Sequence, residues 1–183
     1  SVYFDNFDNK AVIEKKEGFY KRDKYRIRLY NCDPGRLHLE KKSKIDQATF
    51  KTKCLMDAGE YRRIQAGDIA WMADDSRDLV RELYWQMTLF RLKPTVIVDY
   101  VREAYVYEPG NVRVTFDSSI KTSFYSADLF KPDLPMIDVL EPGTVVLEVK
   151  YDAFLPDVIK YMLQGLDRHR EAFSKYQLGR MYG

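Results

Sequence analysis

Cationic side chains recur at every second position along several short segments of the chain, and this spacing carries the most chemistry. Lys24, Arg26 and Arg28 alternate with Tyr25, Ile27 and Leu29; His38, Glu40 and Lys42 are grouped against Leu37 and Leu39; Lys51 and Lys53 oppose Phe50 and Thr52. Further on, Arg113, Thr115 and Asp117 alternate with Val112, Val114 and Phe116, and Glu148 and Lys150 stand against Leu147 and Val149. Successive side chains of a strand point to opposite faces, so each segment predicts one charged and one apolar face. Singly, each is what an antiparallel strand shows when one face meets the core and the other meets water. As a set they depart from that pattern. Solvent faces mix in Thr, Ser and Gln, whereas long cations dominate here, and arginine is favoured where forked hydrogen bonds must reach phosphate oxygens. If the strands curl into a barrel, the cationic faces meet in one interior and their repulsion requires an anion. A chain of phosphates supplies it, and Glu40 or Glu148 could hold a divalent cation bridging those oxygens. That is a phosphoryl-transfer environment.

The elements that must position these residues follow from periodicity and punctuation. Strands are expected at Val2-Tyr3-Phe4 and over 25–30, with a short helix between Asp8 and Gly18. The turn Asp33-Pro34-Gly35 leads into a returning strand over 37–42, followed by another over 49–54. Residues 57–65 read as a short helix stopped near Gly67. Residues 76–92 read as a longer one, with Leu79, Leu83, Met87 and Phe90 on one face and Pro94 ending it. Strands over 95–107 and 112–117 flank the turn Glu108-Pro109-Gly110-Asn111. Pro132, Pro135 and Pro142-Gly143 punctuate a connection to a strand over 144–151, and helices are expected from Pro156 to about Leu163 and from Ala172 to Met181.

Composition narrows the setting. The 183 residues are 45% hydrophobic and 14% aromatic, enough for one core, and a net charge of +2 gives no bulk field for nucleic acid. The two cysteines, Cys32 and Cys54, make no CxxC motif or disulfide framework, so a reducing, cytoplasmic location is expected. No apolar run reaches the roughly 20 residues that span a bilayer, and membrane insertion is not expected.

With these residues in view, the sequence resembles the VTC domain of polyphosphate polymerases, in the triphosphate tunnel metalloenzyme (CYTH-like) superfamily. The likeness rests on Tyr25-Arg26-Ile27-Arg28-Leu29-Tyr30, Leu39-Glu40-Lys41-Lys42, residues 98–105 (VDYVREAY), residues 111–117 (NVRVTFD), Leu147-Glu148-Val149-Lys150-Tyr151 and Phe173-Ser174-Lys175-Tyr176. It implies an α+β fold, an eight-stranded antiparallel β-barrel with helices packed outside, forming a tunnel that binds ATP, triphosphate or polyphosphate. It implies transfer of the terminal phosphoryl group of ATP to a growing polyphosphate chain with Mn2+ or Mg2+. By the same likeness Arg26, Arg28, Lys42, Arg102, Arg113, Lys150 and Lys175 grip phosphate, Glu148 is the metal ligand, and Tyr100 and Ser174 line the site with Lys51. The resemblance spans one domain over 1–183. The family's opening strand with a Glu-x-Lys motif has no counterpart before Ser1, so a tunnel open along one side is expected.

Two other functions stay open at this stage: a triphosphatase, for which Glu40 or Asp117 would activate water, and a non-catalytic polyanion-binding module. Ser174 lacks a GxSxG elbow, and His38 and His169 lack metal-ligand spacing. Trp71 and Trp85 read as packing residues, with contact to a nucleotide base as the alternative for Trp71. Arg168-His169-Arg170 reads as a solvated surface.

Overall fold

The computed structural model describes residues 1–46, 48–123, 126–165 and 173–182. Strand β1 (Val2–Asp5) is followed by helix α1 (Lys10–Lys16), then by β2 (Lys21–Arg28), β3 (Leu37–Ile45) and β4 (Ala48–Met56). Helices α2 (Ala58–Gln65) and α3 (Asp78–Phe90) come next, with a short 3-10 turn at Ala70–Asp74 between them. The second half contains β5 (Lys93–Tyr107), β6 (Val112–Ser123), β7 (Met136–Asp138), β8 (Val146–Lys150), α4 (Asp157–Gln164) and α5 (Lys175–Tyr182).

The eight described strands form one antiparallel sheet in the order β4-β3-β2-β1-β5-β6, with β7 and β8 both pairing the far side of β6. Among the described residues β4 and the β7/β8 pair are therefore edges. The fold is α+β as expected; in place of the eight-stranded barrel that the resemblance implies, the strands form an open sheet, with no pairing joining β4 to β8 among the described residues. Three hairpins, β2–β3, β3–β4 and β5–β6, set the register. Gly110, at φ 76°, makes the turn that places Tyr107 opposite Val112, and from that pair the ladder runs back to Arg102 opposite Asp117. A Cβ at Gly110 would also lie 2.5 Å from the Phe154 carbonyl oxygen, so only glycine fits there.

The apolar face of the first half of the sheet meets α2 and α3. Val2, Phe4, Tyr25, Ile27, Leu37 and Leu39 pack against Tyr61, Ile64, Leu79, Val80 and Leu83, every one of them buried. Helix α2 starts cleanly because Asp57 accepts from the Glu60 amide at 2.8 Å while the Glu60 carboxylate accepts from the Asp57 amide at 2.9 Å. In α3 the buried stripe is rotated from the expected one. Leu79, Val80 and Leu83 are covered, whereas Phe90 is 43% exposed, with the Lys10 ammonium 5.2 Å from its ring centre.

A second, smaller core lies on the opposite face. Tyr3, Val96, Val98 and Ile120 meet Ala11 of α1 and Tyr176 of α5 there. Helices α1 and α5 thus cover one end of the charged face, where all helices had been expected outside. Helix α5 approaches closely: a Cβ at Gly179 would lie 3.0 Å from both Thr122 Oγ1 and Val98 Cγ2. Strand β6 runs past the expected end near Asp117 to Ser123, through an irregular register where Ser119 has φ 49°. Strand β7 falls in the Pro-punctuated segment where no strand had been expected.

Candidate functional site

Ladder partners in an antiparallel sheet project to the same face, so register alone gathers the cationic residues. Arg26 pairs with Glu40, Arg28 with His38 and Lys24 with Lys42; Lys42 pairs in turn with Lys51 and Glu40 with Lys53. On the far side, Arg102 pairs with Asp117, and Arg113 with Lys150. Tyr3 stands opposite Arg26 in β1 and links the two halves.

The contacts fall into linked groups. Glu40, nearly buried, accepts from Arg26 Nε at 2.7 Å through one oxygen and from Lys51 Nζ at 2.7 Å through the other. Burial pushes its carboxyl up, but Arg26 and Lys51 outweigh that and hold it below the usual range. Arg26 also donates to the Tyr3 hydroxyl at 3.2 Å. Arg28, itself buried, donates to the Tyr100 hydroxyl at 2.8 Å. The Tyr100 ring is the hub of the second group, with Lys175 Nζ and the Arg102 guanidinium carbon 5.1 and 5.2 Å from its centre. Arg102 makes a forked pair to Asp117 at 2.6 and 2.7 Å, and Lys175 reaches the same carboxylate at 2.5 Å. Asp117 is fully buried; burial raises its pKa, and the hydrogen bonds from Arg102 and Lys175 more than reverse that, holding it below the usual range. Ser174 accepts from the Gln177 amide at 3.4 Å, capping α5 one residue before Lys175.

Glu148 is held more loosely, 3.5 Å from Lys150 and 4.0 Å from Arg102, with its side chain 45% exposed. The Lys42 ammonium is lowered from the ordinary lysine range by burial first and then by the Lys150 cation, with Glu148 opposing. Contacts from Arg28 to the Tyr100 hydroxyl at 2.8 Å and from Arg102 to Glu148 at 4.0 Å link β2, β5 and β8 on this face. Arg113 lies at the exposed margin, opposite Lys150.

Both Glu40 oxygens are taken by cations, whereas the Glu148 side chain is 45% exposed and more open to a divalent cation. No cluster of three or more His, Cys, Asp or Glu that could hold a metal occurs among the described residues. An ion at Glu148 would take its remaining ligands from phosphate oxygens and water, the usual arrangement for Mg2+ at phosphate sites.

Three residues outside the expected site set belong to this network. Tyr3 and Asp117 position the cations, and counting back from the Glu108–Asn111 turn already pairs Asp117 with Arg102. His38 lies on the charged face opposite Arg28, with its Nδ1 buried and without a hydrogen-bond partner among the described residues. Trp71 packs against the larger core and donates to the Asp68 carbonyl at 3.0 Å. Arg168-His169-Arg170 and Ala172 lie outside the described residues.

The structure is thus an antiparallel sheet with arginine and lysine gathered on one face. The VTC domain family model matches residues 1–182, and the chain belongs to that family. VTC domains are associated with polyphosphate-related enzymatic activity. Comparison with curated proteins gives no match. Among the described residues no helix is long and apolar enough to cross a membrane.

Proposed function

We propose that the chain is an ATP-dependent phosphotransferase of the polyphosphate-polymerase kind, with the cationic face as the wall of a phosphate-binding tunnel. The observation that supports this reading is the gathering of Arg26, Arg28, Lys42, Arg102, Lys150 and Lys175 from four strands and a helix onto one face of the sheet. In the reaction, a terminal oxygen of the phosphate chain attacks the γ-phosphorus of ATP, the bond to the bridging oxygen breaks, and ADP leaves with that oxygen. The chain gains one phosphate. Charge spreads over the oxygens of the transferred group, and guanidinium and ammonium groups fixed by Tyr100, Asp117 and Glu40 would meet it without reorganising. Glu148 would hold Mn2+ or Mg2+, which would offset the charge of the phosphate oxygens.

Transfer is favoured over hydrolysis by the state of the buried carboxylates. Glu40 and Asp117, the two candidates for activating water, are each tied to two cations and held ionised below the usual range. A carboxylate so stabilised is a weak base. The test is a product assay with ATP and Mn2+. Long chains with stoichiometric ADP support the reading; orthophosphate alone identifies a triphosphatase; binding without nucleotide consumption identifies a polyanion-binding module. Lys150, largely exposed and remote from either core, provides the control: Lys150→Ala is expected to abolish chain growth with unfolding shifted by less than about 0.5 kcal/mol. Full polymerising activity in that variant would remove the cationic face from the reaction.

A further inference from the structure

The cationic face does not end at Arg26. Two residues earlier, Lys24 stands directly opposite Lys42 in the β2–β3 ladder, and Lys42 stands opposite Lys51 in the β3–β4 ladder. Three lysines thus form one row across adjacent strands. Like charges placed opposite one another destabilise a sheet. Of the three, only Lys51 has a carboxylate within ion-pair distance among the described residues: Glu40, whose other oxygen is taken by Arg26.

Lys24 is the least compensated of the row. Its ammonium lies 5.3 Å from the centre of the Tyr176 ring, beside α5. The charges that bear on it are Lys15 of α1, Arg22 of β2 and Lys42 of β3, against the one carboxylate Asp5 of β1. Asp5 is already engaged by the Tyr176 hydroxyl and by the Ala11 amide at 3.0 Å. Burial first, and then these cations, pull the Lys24 amine down to about 8. Such a group costs the folded protein stability, and an anion beside it would offset that cost.

We propose that Lys24, together with Lys42, forms a second phosphate-chain subsite on the α5 side of Arg26, through which the groove holds linear polyphosphate beyond the length of a triphosphate. The inference rests on the proposed function and extends it, adding a residue that reads chain length. Along β2 the Cα atoms of Lys24, Arg26 and Arg28 follow one another at about 7 Å, so the row spans about 13 Å. That exceeds the separation of the outer phosphorus atoms of a triphosphate. A short ligand gripped by Arg26 and Arg28 leaves Lys24 without its anion, and a longer chain reaches it.

The test is calorimetric titration of the protein with tripolyphosphate and with long-chain polyphosphate, for the wild type, Lys24→Met and Lys24→Arg. Loss of one charge-assisted contact predicts about tenfold weaker long-chain binding in Lys24→Met. The slope of log affinity against log salt should also fall by about one. Tripolyphosphate affinity should change less than about twofold. Lys24→Arg should retain long-chain affinity. In the wild type, long-chain affinity should also drop more steeply than tripolyphosphate affinity as pH rises through about 8, because the amine loses its proton there. Lys24→Arg, whose guanidinium does not titrate in that range, should lose this difference. Equal weakening of both ligands in Lys24→Met, or no weakening of either, overturns the subsite. A wild-type protein that binds neither ligand overturns the proposed function instead.

Discussion

Asp117→Asn isolates the electrostatics that hold the site together. The carboxylate is fully buried and closes contacts of 2.6 Å and 2.7 Å with Arg102 and 2.5 Å with Lys175. The amide keeps the shape and removes the charge, leaving two cations facing each other beside Arg28. Breaking a buried ion pair on one side costs about 3–5 kcal/mol, and the partial exposure of Arg102 places this case at the lower end, about 3 kcal/mol. For a chain of this size each kcal/mol moves the midpoint of unfolding by about 2–4 °C, so a fall of about 6–12 °C is expected at neutral pH. The pH dependence gives a sharper test. Because the native pKa of Asp117 lies below its unfolded value of about 3.9, its contribution is complete above that value and is lost as pH falls through the native pKa. The difference between wild type and variant should therefore be widest near neutrality and narrow under acid. Thermal unfolding followed by circular dichroism over that range measures it. A loss under about 1 kcal/mol, or a difference that does not narrow with acid, would refute the assignment of Asp117 as the anchor of the cluster.

Three further outcomes separate the roles assigned to other residues. Glu148→Gln should abolish Mn2+-dependent turnover with stability unchanged within about 0.5 kcal/mol, whereas Glu40→Gln should cost about 3 kcal/mol of stability because Arg26 and Lys51 lose their shared anion; parallel melts and turnover assays would expose a reversal. Lys24→Met should stabilise the ligand-free protein by up to about 3 kcal/mol below pH 8, since the folded state binds that proton less well than the unfolded chain, and the gain should shrink as pH rises from about 8 toward 10.5. Urea unfolding at several pH values checks that sign. Gly179→Ala should lower stability by about 1 kcal/mol, against the gain of similar size expected at an open helical position, because its Cβ would press on Thr122 and Val98 at 3.0 Å; a stabilised variant would show that α5 can withdraw from the sheet at no cost.

Much of this protein is decided locally. Alternation along 24–29, 37–42 and 112–117 assigns each strand its charged and its apolar face, because side chains on extended backbone can point only two ways. The Pro109-Gly110 turn fixes which residues of β5 and β6 face each other, so the Arg102–Asp117 pair follows from counting. Phe90 shows where this local reasoning stops: helical spacing places it near Leu79 and Leu83, but which side of the stripe is buried depends on what the helix meets. Three features of the site depend on more distant contacts. The meeting of Arg28 in β2 with Tyr100 in β5 across β1, and of Arg102 in β5 with Glu148 in β8 across β6, depends on the twist of the whole sheet, and no short segment encodes it. Helix α5 lies on the charged face because Gly179, Tyr176 and Lys175 find Thr122, Asp5 and Asp117 there, partners more than fifty residues distant in the chain. Glu40 has the residue type of a metal ligand, yet only the folded arrangement commits both its oxygens to Arg26 and Lys51. The sequence by itself determined which faces carry charge, since that is a property of each strand alone. The tertiary structure decided which charges meet, because that depends on the summed geometry of the whole sheet.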